Sequence, residues 1–184
     1  MKITKILDKE FIPYLSSEEI LVRIEEIAKQ LNHSLKGKDP IFIGILNGSF
    51  MFASDLYKEI TVPSQISFLK LASYQGISST ENIKKLIGIN EDITNKTLVI
   101  IEDIVDTGNT LDHIIKQLKK YEPKEIIIVT LLFKPKAYKK NFKIHHYAFE
   151  IPNNFIIGYG LDYNGYGRNL KDILILKNQQ NENK

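Results

Sequence analysis

Between Thr97 and Leu111 the chain reads T-L-V-I-I-E-D-I-V-D-T-G-N-T-L, and no other stretch restricts its fold so tightly. Leu98 to Ile101 is a short apolar run of the kind that forms a strand buried on both faces. It stops at two adjacent acids, Glu102 and Asp103. A polar turn follows, Asp106-Thr107-Gly108-Asn109-Thr110. Leu111, Ile114, Ile115 and Leu118 then recur on one helical face. A strand that passes through a short turn into a helix is the repeating element of a mostly parallel α/β sheet.

The rest of the chain repeats the theme. Ser16-Ser17-Glu18-Glu19 has capping-box spacing and opens a helix with Ile20, Ile24, Ile27, Ala28 and Leu31 on one face. Ile41 to Leu46 reads as a buried strand, Asn47-Gly48-Ser49 as a turn, and Phe50 to Tyr57 as a helix. Ile66 to Leu71 alternates like a strand. Pro123 is expected to end the helix that begins near Leu111, and Glu125 to Phe133 is a further strand. Short late strands are expected at His146 to Glu150 and Phe155 to Tyr159. Ser73 to Asn82 is polar and Gly/Ser-rich, a loop long enough to act as a lid. These signals predict an α/β fold: a mostly parallel twisted sheet with helices on both faces, one domain over residues 1–184, and a frayed tail from Lys177 to Lys184.

Bulk properties narrow the function classes. The 184 residues include no cysteine, so neither a disulfide framework nor a thiolate metal site is available. The net charge of +3 is too mild to mark a nucleic-acid binder. The dense basic run, Lys134, Lys136, Lys139, Lys140 and Lys143, reads as a solvated loop apart from Lys134. The N-terminal residues are too polar for a secretory leader, and no apolar run approaches the ~20 residues of a membrane span. A soluble cytoplasmic protein without nucleic-acid or membrane partners is the expectation.

The turn after the central strand carries chemistry. Gly108 permits close backbone approach or positive φ, Thr107 and Thr110 offer hydroxyls, and the unpaired N–H groups at the helix start favour an anion. On the turn alone, a phosphate cradle and an ordinary capped helix start fit equally well. Glu102 and Asp103 shift the balance. Two acids at the end of an apolar strand are costly to bury, and beside a phosphate they repel it. Mg²⁺ between them, or sugar hydroxyls donating to them, relieves the conflict. Neither common nucleotide motif is present, neither G-x-x-x-x-G-K-[ST] nor G-x-G-x-x-G.

The segment I-I-E-D-I-V-D-T-G-N-T-L resembles the phosphoribosyl-diphosphate signature of the type I phosphoribosyltransferases. The form E-D-x-x-D-T-G, with the later segments below, is similar to the hypoxanthine-guanine branch. The similarity runs from about Ile41 to Leu176. It implies the type I phosphoribosyltransferase fold, with a small hood made by the terminal regions. It also implies transfer of 5-phosphoribosyl to hypoxanthine or guanine with Mg²⁺ as cofactor, in purine salvage, by a homodimer or homotetramer.

The resemblance assigns roles to residues. Glu102 and Asp103 face the ribose hydroxyls and metal. Asp106, Thr107, Gly108, Asn109 and Thr110 hold the 5′-phosphate, and Asp106 also handles the purine N7 proton as a general base. Lys134, at the end of Leu131-Leu132-Phe133, donates to the purine 6-oxygen and selects oxo over amino purines. In F-I-I-G-Y-G-L-D-Y-N, Phe155 stacks on the base and Ile156 presents backbone groups to its edge. Asp162 belongs to the same purine site and ligates a second Mg²⁺, and Arg168 contacts diphosphate. Leu46, Asn47 and Gly48 form the diphosphate loop. Many relatives carry lysine where this chain has Asn47, so backbone N–H groups do more here. Lys70 stands where arginine is usual in mammalian relatives. Ser73 and Tyr74 begin the lid, which excludes water from an oxocarbenium-like centre. The other readings of the same motif are a transferase preferring xanthine or another base, and a nucleic-acid-binding regulator that senses phosphoribosyl diphosphate.

Overall fold

The computed structural model describes residues 3–73, 84–88 and 91–177. In chain order the elements are β1 (Thr4–Ile6), β2 (Lys9–Leu15), α1 (Ser17–Ser34), β3 (Ile41–Leu46), α2 (Phe50–Lys58), β4 (Gln65–Ser73), β5 (Lys84–Ile87), β6 (Thr97–Val105), α3 (Asn109–Leu118), β7 (Glu125–Phe133), β8 (His146–Glu150), β9 (Ile156–Ile157) and β10 (Ile173–Leu176). The main sheet has the order β5-β4-β3-β6-β7-β8, parallel except for the antiparallel edge strand β5.

Alternation along the strands sorts the core into two layers. Ile41, Ile43, Leu98, Ile100 and Ile128 pack with Leu111, Ile114, Ile115 and Leu118 of α3. Phe42, Val99, Ile101 and Val129 point the other way, onto Ile20, Ile24, Ile27 and Leu31 of α1 and Phe52 and Leu56 of α2. Helices therefore cover both faces, which is why the strands read as unbroken apolar runs. Helix α1 starts where the sequence predicts. The Ser16 hydroxyl accepts from Glu19 N–H at 3.2 Å, and the Glu19 carboxylate accepts from Ser16 N–H at 2.9 Å.

A second sheet, β1-β2-β10-β9, joins the two ends of the chain into an antiparallel hood. Several boundaries differ from the sequence reading. β6 continues past its apolar run to Val105, so Glu102 and Asp103 lie inside the strand; Glu102 pairs in register with Thr130 of β7. α3 stops at Leu118, and a 3-10 turn over Lys119–Tyr121 follows before Pro123. Only Ile156–Ile157 of the expected Phe155 to Tyr159 strand is extended, because the next three residues take positive φ. Among the expected lid residues, Ser73 is the last residue of β4, and Tyr74 lies outside the described residues. Of the expected frayed tail, Lys177 is described and residues 178–184 are not. No helix among the described residues is long and apolar enough to cross a membrane.

Candidate active site

The loops that follow β3, β6 and β7 leave the same edge of the parallel sheet, the carboxyl edge where such sheets bind ligands. β6 lies between β3 and β7, so its acids are flanked from both sides. Glu102 is buried, and its Oε2 atom has no hydrogen-bond partner. Burial, then the neighbouring Asp103 charge, pushes the Glu102 carboxyl well above the usual range. Burial also raises Asp103, to about 6, although the Ile104 N–H donates to its Oδ1 at 2.9 Å and Arg168 lies near. A buried acceptor with nothing to accept from suits a sugar hydroxyl or a cation. Among the described residues, no three His, Asp or Glu side chains converge into a ready-made metal cage. A cation here would take few protein ligands and complete its shell from substrate and water, as Mg²⁺ usually does.

From Glu102 to Leu111 the chain lines a cavity of about 250 Å³. Gly108 caps α3 in the left-handed region, with φ 81°, and no side chain occupies the cap. The first N–H of α3, that of Asn109, reaches only the Thr107 hydroxyl at 3.4 Å, so the start of the helix still suits an anion. The 134–142 loop closes the outer side. A Cβ on Gly108 would meet the Tyr138 ring at 2.7 Å and Lys140 at 2.9 Å, and Lys140 Nζ reaches Asp112 of α3 at 3.2 Å. Lys140 is therefore docked on α3, whereas its sequence context reads as a solvated loop.

Lys134, just past β7, is 8% exposed. Its ammonium lies 3.2 Å from Asp106 Oδ2 and 3.4 Å from Asn153 Oδ1. A donor and a carboxylate thus stand side by side at the mouth of the site. Phe155 is 38% exposed and is backed by the fully buried Phe11 of β2, with ring centroids 6.3 Å apart. Tyr163 meets Phe155 edge-on at 5.8 Å, held by its hydroxyl to Asp8 at 2.9 Å. Ile156 is buried in β9.

Across β6, the Leu46–Asn47 peptide is cis and the loop passes close over the acids. A Cβ on Gly48 would fall 1.6 Å from Asp103 Oδ2, so no other residue fits there without moving the carboxylate. Lys70 of β4 pairs in register with Leu46, which places it beside this loop. Arg168 donates to the Gly160 carbonyl at 2.7 Å and forms an ion pair with Asp162. Asp162 also accepts from Gly165 N–H at 2.6 Å. Leu46 to Gly48, Glu102 to Thr110 and Lys134 thus lie on these loops or the strand ends beside them, whereas Phe155, Ile156, Asp162 and Arg168 come from the segments around β9.

The model of the phosphoribosyl transferase domain matches residues 14–164. The chain belongs to the phosphoribosyl transferase family. A hypoxanthine phosphoribosyltransferase of Escherichia coli K12 is 41% identical over 148 residues, 79% of this chain and 83% of that protein. A hypoxanthine-guanine phosphoribosyltransferase of Streptococcus mutans is 36% identical, covering 88% of this chain and 91% of the relative. The crystal structure of a hypoxanthine phosphoribosyltransferase from Staphylococcus aureus superimposes with a TM-score of 0.82 at 38% identity, over 90% of this chain and 91% of that one. The parallel sheet with its terminal hood is the fold of these phosphoribosyltransferases.

Sequence reasoning missed two residues that support this candidate site. Phe11 comes from a strand about 140 residues upstream of the ring it supports, and Asn153 looked like an ordinary loop residue. Phe11 had one local signal: it sits in K-E-F-I-P-Y-L, a β-rich run that the polar N-terminus obscured.

Proposed function

We propose that this phosphoribosyltransferase moves the 5-phosphoribosyl group from phosphoribosyl diphosphate to N9 of hypoxanthine or guanine, giving IMP or GMP and diphosphate. One observation carries the choice of base. The Lys134 ammonium and the Asp106 carboxylate stand 3.2 Å apart at the strand ends. A 6-oxopurine presents its N7 and O6 side by side on one edge. Lys134 donates to O6, and Asp106 accepts the proton carried at N7. Adenine offers an amino donor at the same place, which leaves the lysine unpaired and facing another donor. Phe155, stiffened from behind by Phe11, provides the stacking face.

The remaining residues serve the other substrate. The turn from Asp106 to Thr110 and the start of α3 hold the 5′-phosphate. Glu102 and Asp103 accept from the ribose 2′ and 3′ hydroxyls. The loop from Leu46 to Gly48 and Arg168 hold the diphosphate. Asn47 brings no charge, so backbone N–H groups and Arg168 carry more of that task. Glu102 and Asp103 on one side and Asp162 on the other would hold Mg²⁺, which neutralises charge on the leaving diphosphate. As the bond from C1′ to diphosphate breaks, N9 forms the new bond and the N7 proton passes to Asp106. The anionic surroundings stabilise the ribosyl cation between these events. Ser73 and Tyr74 begin the lid of this reading, which also places the enzyme in the cytoplasm as a homodimer or homotetramer.

The test is a base-competition assay with phosphoribosyl diphosphate and Mg²⁺. Hypoxanthine and guanine should be consumed and adenine left. Adenine turnover equal to hypoxanthine would overturn the assignment, and a preference for xanthine would move it to another base.

A further inference from the structure

Gly158, Tyr159 and Gly160, just after β9, all have positive φ, at 96°, 49° and 100°. The two glycines explain themselves. A Cβ on Gly158 would fall 2.1 Å from the Asp172 carbonyl oxygen, and one on Gly160 would fall 2.0 Å from that of Gly48. A tyrosine between them needs another reason, since a bulky residue keeps this conformation only when its surroundings impose it. The reason lies in its side chain. Tyr159 is 2% exposed, and its hydroxyl donates a hydrogen bond to Asp55 in the middle of α2.

That contact closes a triangle. Helix α2 begins one residue after Asn47-Gly48-Ser49. The turn at Tyr159 carries Gly160, which lies against the Gly48 carbonyl, and Gly160 is gripped by Arg168 through both its N–H (3.0 Å) and its carbonyl (2.7 Å). On its other side Gly48 lies against Asp103. We propose that Tyr159 and Asp55 form a positioning pair for the diphosphate loop. Their hydrogen bond ties the turn to the helix that the loop opens into, and so holds Gly48 between Gly160 and Asp103. Neither residue touches substrate. The inference rests on the assignment of Leu46 to Gly48 to diphosphate.

Tyr159→Phe removes the hydroxyl and keeps the ring. The expected result is a rise of about tenfold in the KM for phosphoribosyl diphosphate and in the Kd for Mg²⁺-diphosphate measured by calorimetry. The KM for the purine base should stay near its wild-type value. Asp55→Ala should reproduce both changes. Asp55→Asn keeps an oxygen acceptor and should restore them towards wild type, which keeps the test decisive if Tyr159→Phe folds poorly. Thermal melts accompany each variant. A lower Tm with unmoved KM and Kd would make the pair merely structural and overturn the proposal, as would equal shifts in both KM values. If the wild-type protein itself fails to bind Mg²⁺-diphosphate, the loop assignment falls first and the pair loses its role with it.

Discussion

Asp103→Asn should make this protein less active and, above a particular pH, more stable. The ordinary Asp value of 3.8 is raised to about 6 by burial in the folded protein. Between about pH 4 and pH 6 the fold therefore holds a proton that the unfolded chain has released. Stability falls as pH rises through that window. Above it, the ionised carboxylate costs the fold about 3 kcal/mol. Asparagine carries no charge and can still accept from Ile104 N–H, now at 2.9 Å. Glu102 loses a charged neighbour in the variant, which acts in the same direction. At pH 8 without Mg²⁺ the variant should gain up to about 3 kcal/mol, or about 6–12 °C in Tm for a domain of this size. At pH 4 most of the gain should vanish. Scanning calorimetry at pH 4, 6 and 8 reads this directly. Equal Tm values at pH 8, or a gain undiminished at pH 4, would refute the argument that burial of a charge is responsible. Turnover should fall at every pH, because the lost charge is the one offered to ribose and cation.

Further expectations concern single groups. Asp106→Asn should lower turnover by about two orders of magnitude or more while leaving the KM for phosphoribosyl diphosphate near wild type; steady-state kinetics decide, and unchanged turnover would remove Asp106 from proton transfer. Lys134→Ala loses a charged hydrogen bond to the base worth about 1.5–3 kcal/mol, so kcat/KM for hypoxanthine should drop roughly ten- to a hundredfold. Undiminished use of hypoxanthine would dismiss Lys134 as the selector. Ser16→Ala removes the α1 cap and should cost about 1 kcal/mol in a denaturant melt with normal kinetics. A kinetic defect there would mean that the cap reaches the site.

The legible part of this protein was whatever local pattern dictates. Runs such as Ile41 to Leu46 and Glu125 to Phe133 are strands because β-branched and other apolar residues dominate them, and both boundaries match the structure. The capping box at Ser16 placed the start of α1. The hood was harder. β1 and β10 are short, and β2 pairs with a strand about 160 residues away. No local period announces a partner so distant. A similar separation hid Phe11 behind Phe155.

Glu102 and Asp103 show where the division lies. The sequence alone places two acids at the end of an apolar run, beside a turn suited to phosphate, and with the matching later segments it determines the family. It carries no measure of how far water is excluded from those acids. The tertiary structure decides that. It extends β6 to Val105 and sets β3 and β7 on either side, so that Glu102 is buried with an unpartnered oxygen and Asp103 titrates near 6. Charge and hydrogen-bonding capacity belong to residue type, but the cost of burying them belongs to neighbours that only folding assembles.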